Sequence, residues 1–168
     1  MATNLSLLVP EFKALVEKGL ELCSDSGLEM RPICAIRTPQ EQAKLWRQSR
    51  SLEEIRIKLS VLRMGEADFL ADCIERVGPQ NGPQVTKALP GFSWHQWGEA
   101  VDCMWIINGK AEWNDLTGYK KYAEIMRSVG IKPGADFNDF PHIQFRKQEI
   151  SSLFTLKQID AAMKEKFG

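Results

Sequence analysis

The chain has no excess of charge of either sign, no long apolar run, and only two histidines among its 168 residues. Its 22 basic and 22 acidic side chains cancel. That removes the global basic footprint a nucleic-acid binder carries, so no nucleic-acid partner is expected. No stretch approaches the ~18 consecutive apolar residues of a membrane span, so no stable membrane anchor is expected either. The opening MATNLSLLVPEFK lacks a basic start and its apolar run stops at Pro10. It is unlike a secretory leader, and the expectation is synthesis in the cytoplasm without a signal peptide. Cys23, Cys34, Cys73 and Cys103 form no C-x-x-C pair, which argues against a zinc ribbon or a dithiol redox motif. They read as reduced, mostly buried thiols. Repeats and low-complexity tracts are absent, and the length suits one monomeric domain over residues 1–168.

What is present is an alternation of helical and strand patterns. Pro10 suits the first turn of a helix whose Phe12, Leu15, Val16 and Leu20 share a face and which ends near Gly27. Leu28 to Ile36 reads as a strand, with Ile33 and Ala35 on one side and Cys34 and Ile36 on the other. Thr38-Pro39-Gln40-Glu41 joins an N-cap threonine, a first-turn proline and a capping-box glutamate, so a helix starts at Pro39. The positions that usually form an apolar staple around such a start hold Arg37 and Gln42, a local rule broken in the way functional sites break rules.

Ser51-Leu52-Glu53-Glu54 is a second capping box. Its helix is interrupted near Gly65, and another runs to Gly78-Pro79. The basic excess between Lys44 and Arg63 accompanies an apolar stripe of Ile55, Leu59 and Leu62, as on an ordinary amphipathic helix. Residues 78–92 hold three glycines and three prolines and read as a long loop. AVDCMWII is a strand, Asn108-Gly109 a hairpin turn, and Tyr119 to Val129 a helix. His142 and Gln144 alternate with Ile143 and Phe145 as in a strand, and a last helix follows from about Thr155 to Phe167. The order implies an α+β fold, helices packed on a small antiparallel sheet, with the motif-bearing core at about 28–146.

The chemistry lies in Ser93-Trp94-His95-Gln96-Trp97-Gly98-Glu99-Ala100-Val101-Asp102 and Asp139-Phe140-Pro141-His142. Each histidine has an aspartate at short spacing, and both read as strand residues beside glycine- and proline-rich loops. A histidine between tryptophans can simply be a core residue. Imidazole and carboxylate are also zinc ligands, and three of them with one open position make a catalytic site. His95, Asp102 and His142 would supply the three, leaving Asp139 as a general base across a proline that holds Phe140 extended. From spacing alone, Asp102 and Asp139 could exchange roles.

QVTKALPGFSWHQWGEAVD resembles the Ser-x-His-x-x-Gly-x-Ala-x-Asp signature of the zinc D-alanyl-D-alanine carboxypeptidase and L-alanyl-D-glutamate endopeptidase family, which includes VanY-type enzymes and phage endolysins. NDFPHIQF is similar to that family's later Asp-x-Pro-His motif. AIRTPQEQAKLW is similar to its upstream Arg-Ser-x-x-x-Gln-x-x-Leu motif, matched at Arg37, Gln42 and Leu45. The three occur in family order across residues 36–145. Glu99 stands where a small or apolar residue is usual, and Phe137 where tryptophan is common.

The resemblance implies a hedgehog/DD-peptidase-like fold and one catalytic Zn2+ on His95, Asp102 and His142. It also implies Asp139 as the base, Arg37 on the substrate or its developing oxyanion, Ser93 positioning the substrate, and Gln42 supporting Arg37. The expected partner is a peptidoglycan stem peptide, cut by an endolysin-like L-alanyl-D-glutamate endopeptidase that reaches the cell wall after release by a separate pore or delivery system. D-alanyl-D-alanine carboxypeptidase or dipeptidase activity and a non-catalytic zinc-containing wall-binding module are the alternatives.

Overall fold

The computed structural model describes residues 3–168. Met1 and Ala2, the start of the stretch read as lacking a leader, lie outside the described residues. Along the chain come α1 (Pro10–Asp25), β1 (Glu29–Cys34), α2 (Pro39–Arg47), α3 (Leu52–Met64), α4 (Asp68–Arg76), α5 (Trp94–Trp97), β2 (Ala100–Ile107) and β3 (Lys110–Glu112). They are followed by α6 (Thr117–Ser128), β4 (Lys132–Pro133), β5 (His142–Gln144), α7 (Ile150–Leu153) and α8 (Leu156–Phe167). The fold is α+β with a small antiparallel sheet. No helix among the described residues is long and apolar enough to cross a membrane.

The chain divides into two compact units. The first, residues up to Ile36 with Trp97–Lys147, holds the whole sheet in the order β1-β2-β5-β4, with β3 hairpinned onto β2. The hairpin turn is at Asn108 and Gly109, both at positive φ (51° and 76°), as the type I′ turn requires. Pro32 and Pro133 fall on the two ends of the strand order, where a missing N–H breaks no ladder. Strand alternation then sorts the faces. Val101 and Cys103 of β2 and Ile143 of β5 join Phe12, Val16 and Cys23 of α1 and Tyr119, Tyr122 and Met126 of α6 in one buried cluster. Asp102, between Val101 and Cys103, faces the other way.

The strand expected over Leu28 to Ile36 is shorter and is not regular. Pro32 pairs with Cys103 and Cys34 with Asp102, so Ile33 is one residue too many. This bulge leaves Ile33 42% exposed while Ala35 is buried, and the two do not share a face as simple alternation predicts. Beyond the bulge, Cys34 shares Asp102's face of the sheet.

The second unit, Arg37–Gln96 with Gln148–Gly168, is helical. Both capping boxes form, at Thr38/Glu41 and Ser51/Glu54, and a third opens α8 at Thr155/Gln158. α4 begins without a side-chain cap of its own. Asp160 of α8 supplies one, accepting from Leu70 N–H at 2.8 Å, although burial raises its carboxyl pKa above the usual value. Ile55, Leu62, Leu70, Ile74, Ile159 and Met163 are buried within this unit. Three of the six basic residues between 44 and 63 have partners within this unit. Arg47 donates to Ile74 O at 3.0 Å, Arg50 stacks over the Trp46 ring at 4.4 Å, and Arg63 reaches Asp68, Asp72 and Glu75.

Candidate functional site

In the sheet-bearing unit, Cys34, Asp102 and His142 form one row across three adjacent strands, each Cα-paired with the next. Paired residues of antiparallel strands point to the same face, so the side chains converge opposite the helix-packed face. His142 Nδ1 lies 2.9 Å from Asp102 Oδ1, and Cys34 Sγ lies within 4.8 Å of an Asp102 carboxylate oxygen. The imidazole is further held by Gln144 Oε1, 3.1 Å from Nε2, and by the Phe137 ring, 5.8 Å away between centroids. His142 is only 8% exposed. Imidazole nitrogen and carboxylate oxygen are both donors that a divalent cation takes, so His142 and Asp102 fit a metal site.

Asp139 is brought to His142 by a turn: His142 N–H donates to Asp139 O at 3.1 Å across Phe140-Pro141. The connection between Asp139 and His142 is therefore a reversal, closed by a hydrogen bond, where an extended step was expected. Gly134 holds the other side of this segment, its O accepting from Asp139 N–H at 2.9 Å. A Cβ on Gly134 would lie 2.1 Å from Asp139 O and 2.7 Å from His142 Cβ, so only glycine allows this approach. Glu99, unusual against the resembled pattern, is 6% exposed and takes Arg146 Nε at 2.8 Å and a second guanidinium nitrogen at 3.3 Å. It ties the start of β2 to the chain just beyond β5.

In the helical unit, Arg37 donates to Gln42 Oε1 at 3.1 Å, so the two polar residues of the unconventional staple do meet. Gln42 is fully buried. Its Nε2 donates to Ala88 O at 2.8 Å, and its Oε1 also accepts from Gln96 at 3.4 Å. Gln96 in turn accepts from Ser93 N–H at 3.2 Å. Two carboxamides thus connect Arg37 to Ser93 and anchor the Gly/Pro-rich loop at Ala88. Arg37 N–H also donates to His95 O at 3.4 Å.

His95 is 2% exposed and sits on the one-turn helix α5, contrary to the strand expected for it. The signal was available: Ser93-x-x-Gln96 is a capping-box pattern, and half of it forms. Trp94, 6% exposed and donating from Nε1 to Gln148 O at 3.2 Å, is a packing anchor. The roles of Cys34, Gln96 and Gln144 were not read from the sequence. Gln144 was visible in the alternation with His142, whereas the aim of Cys34 depends on a bulge that no residue pattern announces.

A comparison with curated proteins finds no match. A comparison with protein families matches residues 6–134 to VanY, D-alanyl-D-alanine carboxypeptidase. The match includes Arg37, Gln42, Ser93, His95 and Asp102, and ends before Asp139 and His142. Because it spans most of the chain, the protein belongs to the VanY family of D-alanyl-D-alanine carboxypeptidase-type peptidoglycan peptidases.

Proposed function

We propose that the protein is a zinc-dependent peptidase of bacterial peptidoglycan, an endolysin-like L-alanyl-D-glutamate endopeptidase with His95, Asp102 and His142 as its metal ligands. The observation that carries the metal reading is the part-buried 2.9 Å approach of His142 Nδ1 to Asp102 Oδ1. When bound, zinc polarises the scissile carbonyl and lowers the pKa of a coordinated water toward ~7. Asp139 then acts as general base on the attacking water and returns the proton to the leaving amine. Arg37, held by Gln42, supports the carbonyl oxygen as it gains charge, and Ser93 positions the stem peptide.

The resembled motifs are common to endopeptidases and carboxypeptidases, and endopeptidase cleavage is supported by how cations are used. Arg146 is committed to Glu99, and Arg37 is assigned to the carbonyl oxygen. A carboxypeptidase needs a further cation for the substrate's terminal carboxylate. The family match favours the second reading, removal of terminal D-alanine.

Digestion of purified stem peptides, followed by mass spectrometry with and without a chelator, tests both. Scission between L-alanine and D-glutamate supports the first reading, and release of D-alanine the second. Wall binding without cleavage would leave a non-catalytic module. Asp139→Asn should lower turnover roughly 10²–10⁴-fold and keep its metal, whereas Asp102→Asn should lose metal; the reverse pattern exchanges the two roles.

A further inference from the structure

Gln144 sits on β5 two residues from His142 and is 9% exposed, sharing with it the face that carries Asp102. Its amide has a fixed orientation. Nε2 donates to Arg146 O at 2.7 Å, and a backbone carbonyl can only accept, so Oε1 is the atom turned to the imidazole, 3.1 Å from His142 Nε2. An amide oxygen only accepts as well, which places the ring proton on Nε2. Neutral imidazole has one N–H, so Nδ1 presents its lone pair to Asp102 Oδ1, 2.9 Å away. In that tautomer two electron-pair donors, the buried imidazole and the half-buried carboxylate, face each other at contact distance, and a cation placed between them joins the two.

We propose that Gln144 is a positioning residue for the metal centre, fixing the tautomer and ring orientation of His142 so that Nδ1 is the ligating atom. The inference rests on the proposed role of His142 as a zinc ligand. The carbonyl that orients Gln144 belongs to Arg146, whose side chain is tied to buried Glu99. Glu99, Arg146, Gln144 and His142 therefore form a continuous polar chain ending at Asp102. This gives the unusual carboxylate at position 99 a purpose: it steadies the residue whose carbonyl sets the amide.

The test compares the full-length wild type with Gln144→Leu and Gln144→Glu. Zinc affinity is measured by competition with a chromophoric chelator, the imidazole protons by 15N–1H NMR of the zinc-loaded chain, and folding by thermal melting. Loss of an outer partner of a ligating histidine costs roughly 10–100-fold in metal affinity, and that fall is expected for the leucine variant. Gln144→Glu keeps an acceptor for Nε2–H and should stay within a few-fold of wild type. The slowly exchanging Nε2–H signal should persist in wild type and in Gln144→Glu and disappear in Gln144→Leu.

A leucine variant that binds zinc as tightly as wild type overturns this inference and leaves the zinc reading intact. So does a glutamate variant that falls as far as the leucine one, because the amide donor rather than the acceptor would then matter. A wild-type chain that takes no zinc overturns both.

Discussion

Gly134→Ala tests how closely the segment bearing Asp139 and His142 is built. A Cβ there would sit 2.1 Å from Asp139 O, 2.7 Å from His142 Cβ and 2.8 Å from His142 O. Two of these three contacts are backbone oxygens, which cannot swing away as a side-chain end can. Bringing the first to a tolerable separation of 3.0 Å requires the Asp139–His142 turn to shift by about 1 Å, a displacement that costs on the order of 10²-fold in rate when it separates reacting groups. The overpacking itself should destabilise by about 1–3 kcal/mol.

The expected result is a folded protein with a lowered melting temperature, weakened zinc binding and turnover reduced on the order of 10²-fold. Steady-state cleavage of stem peptides, chelator competition and thermal melting read the three. Gly109→Ala is the control. Its Cβ meets nothing within 4 Å and its φ is +76°, so it should cost only the left-handed backbone penalty of about 1 kcal/mol and leave turnover unchanged. If Gly134→Ala keeps wild-type zinc affinity and turnover, the close approach is not what positions the base.

Two further expectations concern stability. Thr38→Ala removes the hydroxyl that accepts Glu41 N–H at 3.1 Å and donates to Glu41 Oε2 at 3.1 Å, while the backbone N–H of residue 38 keeps its bond to Glu41. It should cost about 1 kcal/mol in urea unfolding, and an unchanged midpoint would contradict the capping account. Burial pushes the thiols of Cys23 and Cys73 up to about 11 and that of Cys103 to about 12, from an ordinary 9.0. The unfolded chain therefore gives up these protons first. Stability attributable to the thiols is fully present below pH 9.0 and falls as pH rises toward about 12. Melting temperatures across that window should decline, and less steeply in Cys103→Ala; equal slopes would refute the assignment.

The parts of the fold that were legible in the sequence are those specified by neighbouring residues. Two capping boxes, the Asn108-Gly109 turn and the apolar-polar alternation of AVDCMWII each satisfy their own backbone, and each formed where its residues indicate. The meeting of Arg37 and Gln42 was legible for the same reason, because a helix start brings those two positions together. Misreadings came where a non-local partner decides. Trp94 to Trp97 is a four-residue stretch too short for periodicity to divide between strand and helix. The bulge at Ile33 exists only in relation to β2, and the cap of α4 comes from Asp160, 90 residues away. The orientation of Gln144 depends on Arg146 O, a backbone atom that no side-chain pattern reports.

The extra residue in β1 works as a change of parity. Up to Pro32 the strand contributes every second side chain to the apolar interior, and after Ile33 the count shifts by one, delivering Cys34 to Asp102's face and Ala35 to the interior. Paired without the bulge, the full strand would instead set Ile33 opposite Asp102 and turn Cys34 toward the interior. The bulge thus decides which side chain of β1 joins Asp102 and His142 on their face of the sheet.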